Sequence, residues 1–374
     1  MNIGFDARLF QKGQGLGRYV EQLLVQYENM DLSGHTLTVF LSEEGMKEFI
    51  PSNPHIKTVY APYRWYSLQE QISFPRLLNR YNLDVAHFPH FNVPIWYRKP
   101  YVVTIHDLIL LKMPRSARLA ATTHLPFVYD LKYAAYQYVL KRAVQHARSV
   151  IVPSDYVKKD IIARLHCDEK KITRIYEAAM EVKKCTPASA KKNIKPYVLY
   201  VGNAYPHKNI QLLLNLARSL KKESSDMNIV LVGQEDYFAQ KIRSDIEQEK
   251  LGSYITHRGF VSEETLTDLY CNALAYVFPS YEEGFGLPGL EAMSYGLPVI
   301  ASSASCLPEI YGNAALYASP NEPTAWLEIV KKVRYDTVLQ EDMRKKGLAR
   351  VKQFDWTAGA KETLDILISV AKRP

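Results

Sequence analysis

The chain has 374 residues, a hydrophobic fraction of 47% and a formal charge of +8 from 47 basic and 39 acidic side chains. That length exceeds what one hydrophobic core usually supports, so two domains are expected. The apolar fraction is that of a soluble globular protein, and no apolar run reaches the ~20 residues of a membrane-spanning helix.

In chain order, Ile3–Asp6 reads as a buried strand ending in Phe5-Asp6-Ala7-Arg8. No charged leader with an apolar stretch precedes it, so no signal peptide is expected. Gly13-Gln14-Gly15-Leu16-Gly17-Arg18-Tyr19 then opens a helix over Gly17–Asn29. Glycines at 13, 15 and 17 do not meet the G-x-G-x-x-G dinucleotide fingerprint, and no acidic residue convincingly follows a second strand. Flexible glycines at a helix start still offer amides to an anion.

Further strands are expected at Thr36–Leu41, Lys57–Tyr60, Val85–Phe88, Val102–Ile105, Val150–Val152 and Ile172–Ile175. Helices are expected over Leu68–Arg80, within Ala117–His146 and over Tyr156–Leu165. Aromatic and basic residues gather in Tyr60–Tyr66 and His87–Tyr97, which suit either sugar-stacking walls or core packing. His106-Asp107 ends a buried strand, the edge of an α/β sheet where ligands bind.

Glu181–Lys195 is polar, lysine-rich and aperiodic, and reads as a linker. The expected division is 1–180, then a linker at 181–196, a second domain at 197–355 and a terminal helix within 356–374. In that second domain, strands at Tyr197–Val201, Ile229–Val232, Ile255–Arg258, Tyr276–Phe278 and Val299–Ala301 alternate with helices, giving a second doubly wound parallel sheet. Its helices are expected at Ile210–Lys221, Ala239–Glu249, Glu263–Asn272, Pro288–Tyr295, Pro323–Val333 and Val338–Gln353, and a terminal helix follows at Trp356–Ala371. Lys208 stands at a helix start, where a cation is disfavoured unless an anion is also present. Asn209 is the expected cap of that helix, and Ser262 of the one beginning at Glu263.

The richest segment is Tyr281–Ile300, Y-E-E-G-F-G-L-P-G-L-E-A-M-S-Y-G-L-P-V-I. Glu283 and Glu291 flank a glycine turn with seven residues between them. Pro288 suits the first helical position, and Gly296 the left-handed residue that ends the helix. The amides of Gly284, Phe285, Gly286 and Leu287 then sit at a positive helix end, which attracts phosphate. A carboxylate is wrong for phosphate but right for sugar hydroxyls, so a sugar nucleotide is the implied ligand.

Cys167, Cys185, Cys271 and Cys306 form no C-x-x-C and are expected to be reduced thiols of a cytoplasmic protein, without disulfide or zinc. Residues 51–150 hold 13 basic and 4 acidic side chains. This half either presents a plain solvated surface or meets an anion, such as a membrane surface or a phosphate-bearing acceptor. No nucleic-acid motif accompanies the charge.

The Tyr281–Ile300 segment resembles the E-x7-E motif of retaining glycosyltransferases of family GT4, and the likeness spans nearly the whole chain. It implies a GT-B fold, two doubly wound Rossmann-like domains facing each other across a cleft, with the 356–374 helix returning to the first domain. It implies transfer of a hexose from a nucleotide diphosphate sugar to a saccharide or lipid-linked hydroxyl, with retention. Asn2–Arg8 and the run Gly202-Asn203-Ala204-Tyr205-Pro206-His207-Lys208-Asn209 look most like mannosyltransferases of surface-polysaccharide assembly, which implies GDP-mannose. By the same resemblance Lys208 meets the donor diphosphate, as do Gly15 or Gly17. Glu283 binds the transferred sugar, Glu291 the ribose, and His106 the sugar near its 6-hydroxyl. Gly259 and Val261 lie in the backbone that reads the base. Asn203 stands where many members have arginine, leaving one fewer cation at the leaving group. No D-x-D triplet occurs, so neither metal nor cofactor is expected. The basic half points to the inner face of a membrane as a peripheral surface. Other readings are a UDP-sugar-dependent glucosyl or N-acetylglucosaminyl transferase, an epimerase of the same fold, and a non-catalytic sugar-nucleotide binder.

Overall fold

The computed structural model describes all residues except 11–14, 115–125, 181–184, 186–194 and 373–374. The chain divides into two compact units. The first comprises Met1–Leu108, Asp130–Glu177 and Asp355–Pro374, and the second Ile109–Tyr129 with Ala178–Phe354. Most of the expected linker lies outside the described residues, as does Gly13.

The first unit is a seven-stranded sheet of β1 (Asn2–Asp6), β2 (Thr36–Leu41), β3 (Ile56–Tyr60), β4 (Val85–Phe88), β5 (Tyr101–Thr104), β6 (Ser149–Val152) and β7 (Ile172–Arg174). The order is β3-β2-β1-β4-β5-β6-β7, and every pairing is parallel. The β4, β5 and β6 strands are buried throughout, as befits a sheet covered on both faces. The Trp356–Ala371 helix belongs to this unit: Trp356 packs edge-on to Tyr19 at 5.9 Å, and Thr357 Oγ1 donates to Gln26 Oε1 at 3.0 Å.

The second unit is a six-stranded sheet of β8 (Tyr197–Val201), β9 (Asn228–Val232), β10 (Ile255–His257), β11 (Ala275–Phe278), β12 (Val299–Ser302) and β13 (Ala315–Ala318). Its order is β10-β9-β8-β11-β12-β13, again parallel throughout. The Ile210–Lys222 helix buries Ile210, Leu213, Leu214, Ala217 and Leu220 on the face that a 3.6-residue period selects. Ser262 caps the Glu263–Asn272 helix by accepting from Thr265 N at 3.2 Å, as its sequence implies.

Among the described α-helices and strands four short elements escape the sequence patterns: the Glu43–Glu48, Ile109–Lys112 and Leu307–Tyr311 helices and β13. Four to six residues are too few to display a period.

The cysteine expectation is corrected. Cys185 and Cys271 are joined in a disulfide, with Cα atoms 5.6 Å apart, while Cys167 and Cys306 are free and buried. The pair is 86 residues apart in sequence, so only the fold brings it together, and no local spacing announces it. A paired cysteine also removes the support that reduced thiols lent to a cytoplasmic location. Among the described residues no helix is long and apolar enough to cross a membrane.

Candidate active site

In the second unit β8 lies between β9 and β11. The connections from β8 and β11 leave in opposite directions, and a doubly wound sheet opens a crevice at the carboxyl ends of such strands. The two loops there are the ones the motifs singled out. After β8 the chain runs through Gly202 and Asn203 into a tight turn at Pro206–Lys208. After β11 it runs through Ser280 to Gly286. Tyr281 N donates to His207 O at 2.8 Å and fastens the loops together.

Across them, Lys208 Nζ reaches Glu283 Oε1 at 2.7 Å and Oε2 at 2.9 Å. Their side chains are 15% and 9% exposed. Glu282 pairs separately, its Oε1 2.8 Å from Lys112 Nζ. Neither lysine partner is foreseeable from spacing, since 75 and 170 residues separate the pairs. The motif thus holds two adjacent buried carboxylates, each balanced by its own lysine. A buried charge without such balance is costly. Lys208 and Glu283, assigned to different parts of a donor by resemblance, therefore neutralise one another here.

Asn209 does not cap the next helix through its side chain. It sits in the left-handed region at φ 57°, and its amide donates to Pro279 O at 3.1 Å and Pro320 O at 2.9 Å. The amide secures the β11 loop instead, which places Lys208 and Glu283 opposite each other. Tyr200, fully buried, donates its hydroxyl to the backbone carbonyl of Asn203 at 2.8 Å, while the half-exposed Asn203 accepts from Tyr205 N through its side-chain oxygen at 3.4 Å.

The helix of the acidic motif runs over Leu287–Ser294, one residue earlier than expected, so Pro288 occupies its second position. Gly286 precedes it at φ 98°, and Tyr311 Oη donates to Gly286 O at 2.6 Å. A Cβ on Gly286 would lie 2.6 Å from that hydroxyl oxygen, and one on Gly289 would collide with the same ring. Both glycines therefore exist for close approach. At the far end Gly296 adopts φ 71°, with Gly296 N on Met293 O at 2.9 Å and Leu297 N on Ala292 O at 3.0 Å. Those are the two bonds of a Schellman ending.

The helix presents Leu287 and Glu291 in half-exposed positions, while Gly284 and Phe285 are buried. The Phe285 ring meets Phe354 edge-on at 5.6 Å, so its side chain is structural. Gly259 follows β10 at φ 69° with open space around it, and Val261 is half-exposed beyond an exposed Phe260. Gly233 N donates to Gly259 O at 3.1 Å, and a Cβ on Gly233 would strike Gly202 O. The loops after β8, β9 and β10 are thus laid side by side.

In the first unit β1 lies between β2 and β4, and a buried charge network joins the loops at their carboxyl ends. Arg8 donates to Asp6 through Nε to Oδ1 and Nη2 to Oδ2, both at 2.7 Å, and from Nη2 to Glu70 Oε1 at 2.8 Å. Its guanidinium lies over Phe74 and Trp65, 3.9 and 4.5 Å from their centroids. Glu70 Oε2 accepts from Asn92 Nδ2 and Tyr66 N, each at 2.8 Å. Burial raises the Glu70 carboxyl against the opposing pull of Arg8. Sequence reading passed over Glu70, which sits three residues after a capping Ser67 and reads as an ordinary capping-box acid.

His106 follows β5. Its Nδ1 meets Glu177 Oε1 and its Nε2 meets Pro89 O, both at 2.9 Å. A carboxylate and a carbonyl only accept, so these contacts favour the ring that donates from both nitrogens. Burial works to lower its pKa, but Glu177 outweighs it and the net direction is up. Both ring nitrogens are engaged within the protein, so a sugar hydroxyl would meet the backbone here or displace one partner.

Gly15 precedes the Leu16–Glu28 helix at φ 83° and accepts from Tyr19 N at 3.0 Å, while Gly17 is buried in its first turn. The aromatic segments divide. His87, Phe88 and Tyr97 are core, with His87 neutral and pushed down to about 3 by burial and then by His106. Tyr66 and Trp96 are exposed. Among the described residues no cluster of three or more histidine, cysteine or acidic side chains is arranged to hold a metal.

Two parallel doubly wound units with their crevices at switch points define the GT-B class of glycosyltransferases. The fold agrees with sucrose-phosphate synthase from Thermosynechococcus elongatus at a TM-score of 0.76, 20% identity and 99% of each chain. It agrees with Anabaena HepE, solved with UDP and glucose, at 0.74 and 17% identity over 99% of this chain and 100% of that one. The "Glycosyltransferase Family 4" profile matches residues 13–178, and "Glycosyl transferases group 1" matches 182–350. The chain belongs to this glycosyltransferase family. It is 28% identical to O-antigen chain mannosyltransferase B of Escherichia coli over 297 residues, 77% of this chain and 75% of that one. It is 28% identical to the O-antigen chain mannosyltransferase RfbU of Salmonella typhimurium over 76% of this chain and 74% of that one.

Proposed function

We propose that the chain transfers mannose from GDP-mannose to a hydroxyl of a saccharide or lipid-linked acceptor, with retention and without a divalent metal. The observation that carries the donor site is the meeting of Lys208 and Glu283 at the switch point of the second sheet, beside the first turn of the Leu287–Ser294 helix. The likeness to two O-antigen mannosyltransferases supports the sugar.

A nucleotide diphosphate brings negative charge that competes with Glu283 for Lys208. The ammonium turns toward the diphosphate, and Glu283 is freed to accept from sugar hydroxyls. The barrier lies in the departing diphosphate and a sugar with oxocarbenium character. Lys208 and the first-turn amides stabilise the former, which is the work a metal would otherwise do. Glu291, one turn along the helix from Leu287, takes the ribose. The first unit supplies the acceptor side, with the exposed Tyr66 and Trp96 as stacking faces.

The test is transfer of labelled mannose from GDP-mannose to a lipid-linked saccharide, with and without a chelator, and NMR of the new anomeric centre. An α-linked product unaffected by chelation is expected. Transfer only from UDP-sugars, or an epimer without transfer, replaces this reading.

A further inference from the structure

The basic surplus of the first unit is concentrated in a cavity that no part of the donor chemistry uses. It lies at the amino-terminal ends of β5 and β6, where the Pro126–His146 helix terminates. His106 follows the other end of β5, so roughly 13 Å of strand separates the two sites. The cavity measures ≈ 110 Å³. Arg98, Lys99, Arg142, His146 and Arg148 line it, and no acidic side chain does.

Three features mark this as more than a solvated surface. Arg142 is fixed in place, donating from Nε to Ile95 O at 3.0 Å and from Nη1 to His146 Nε2 at 3.1 Å. Arg98, Lys99 and Arg148 have no ion pair or side-chain hydrogen bond among the described residues, although like charges gathered together repel. The His146 ring reports that crowding: burial, then Arg142, Arg98 and Lys171, lower its pKa. Finally, Tyr97 lines the cavity 4% exposed, and its hydroxyl is buried without a hydrogen-bond partner. A buried hydroxyl left unmatched costs stability.

We propose that this cavity is a binding site for a phosphate group, held by the guanidinium groups of Arg98, Arg142 and Arg148 with Lys99 and the Tyr97 hydroxyl. Forked guanidinium donors suit phosphate oxygens. A phosphate there neutralises the cluster and gives Tyr97 an acceptor. The group can arrive as a free phosphate or as the headgroup of a lipid, and the chemistry at the cavity is the same.

The test titrates inorganic phosphate into the full chain by calorimetry. It compares wild type, Arg98→Gln/Arg148→Gln and the donor-site variant Lys208→Ala/Glu283→Gln. The two arginines are exposed and unpaired, so the first variant keeps the fold. A parallel arm sediments the same proteins with phosphatidylcholine vesicles, with and without phosphatidic acid. The expected result is at least tenfold weaker binding for Arg98→Gln/Arg148→Gln in one arm or both, with Lys208→Ala/Glu283→Gln unchanged. Loss in the phosphate arm alone identifies a free phosphate, and loss in the vesicle arm alone a headgroup. Wild type that binds neither probe, an arginine variant that binds as well as wild type, or loss in the donor-site variant alone overturns the proposal.

Discussion

Lys208 and Glu283 grip each other through both carboxylate oxygens, at 2.7 and 2.9 Å, from loops that follow different strands of one sheet. The pair forms at the crevice between β8 and β11, where a doubly wound sheet binds its ligand. The bond keeps two buried charges neutral, and in the proposed mechanism a diphosphate takes the lysine.

Removing one member should therefore do more than remove a ligand contact. Lys208→Ala leaves Glu283 buried and unbalanced, and about 3–5 kcal/mol of stability is expected to go. The double variant Lys208→Ala/Glu283→Gln should recover most of it without recovering transfer. Urea midpoints and activity, measured together, check the two halves.

The turn before the motif helix has no room for a side chain. Gly286→Ala places a Cβ against Tyr311 Oη and Leu307 and imposes a left-handed backbone on alanine. Strain of that kind costs about 1–3 kcal/mol before any clash. A lowered thermal midpoint and reduced transfer are expected. A midpoint equal to wild type would show that the close approach of Tyr311 is not obligatory.

In the first unit Arg8 balances two buried carboxylates. Arg8→Met should destabilise by about 3–5 kcal/mol, because Asp6 and Glu70 are left buried. Arg8→Lys should rescue little, since a single ammonium cannot reproduce the fork to Asp6. Chemical denaturation of the three proteins makes the comparison.

Two histidines should bend the pH dependence of stability in opposite senses. The His106 pKa is raised in the folded chain. Its contribution is full below the unfolded value of about 6.5 and is lost as pH rises through the folded value. His87 is lowered to about 3, so its contribution is full above about 6.5 and fades as pH falls toward 3. His106→Gln should flatten the alkaline side of the profile, and His87→Gln the acid side. Urea midpoints across that range decide it.

Much of the fold was legible in the chain. Parallel strands buried on both faces give plain apolar runs, and all but β13 show that way. The Schellman ending at Gly296 and the Ser262 cap were legible too, because both are local. What the sequence withheld are pairings over long separations. Glu70 with Arg8, Lys112 with Glu282, Glu177 with His106 and Cys185 with Cys271 each join residues far apart in the chain. Asn209 misled for a related reason. Its side chain chose carbonyls supplied by two distant loops over the local capping bond.

Lys208 is proposed to hold a nucleotide diphosphate sugar, with GDP-mannose the donor. The most direct test is the thermal midpoint of wild type and of Lys208→Ala/Glu283→Gln, each with GDP-mannose and with UDP-glucose. A ligand that binds only the folded state raises the midpoint according to its affinity. GDP-mannose should raise that of wild type, UDP-glucose should raise it less, and neither should move the variant. Equal shifts in wild type and variant, or no shift with either nucleotide sugar, would contradict the account.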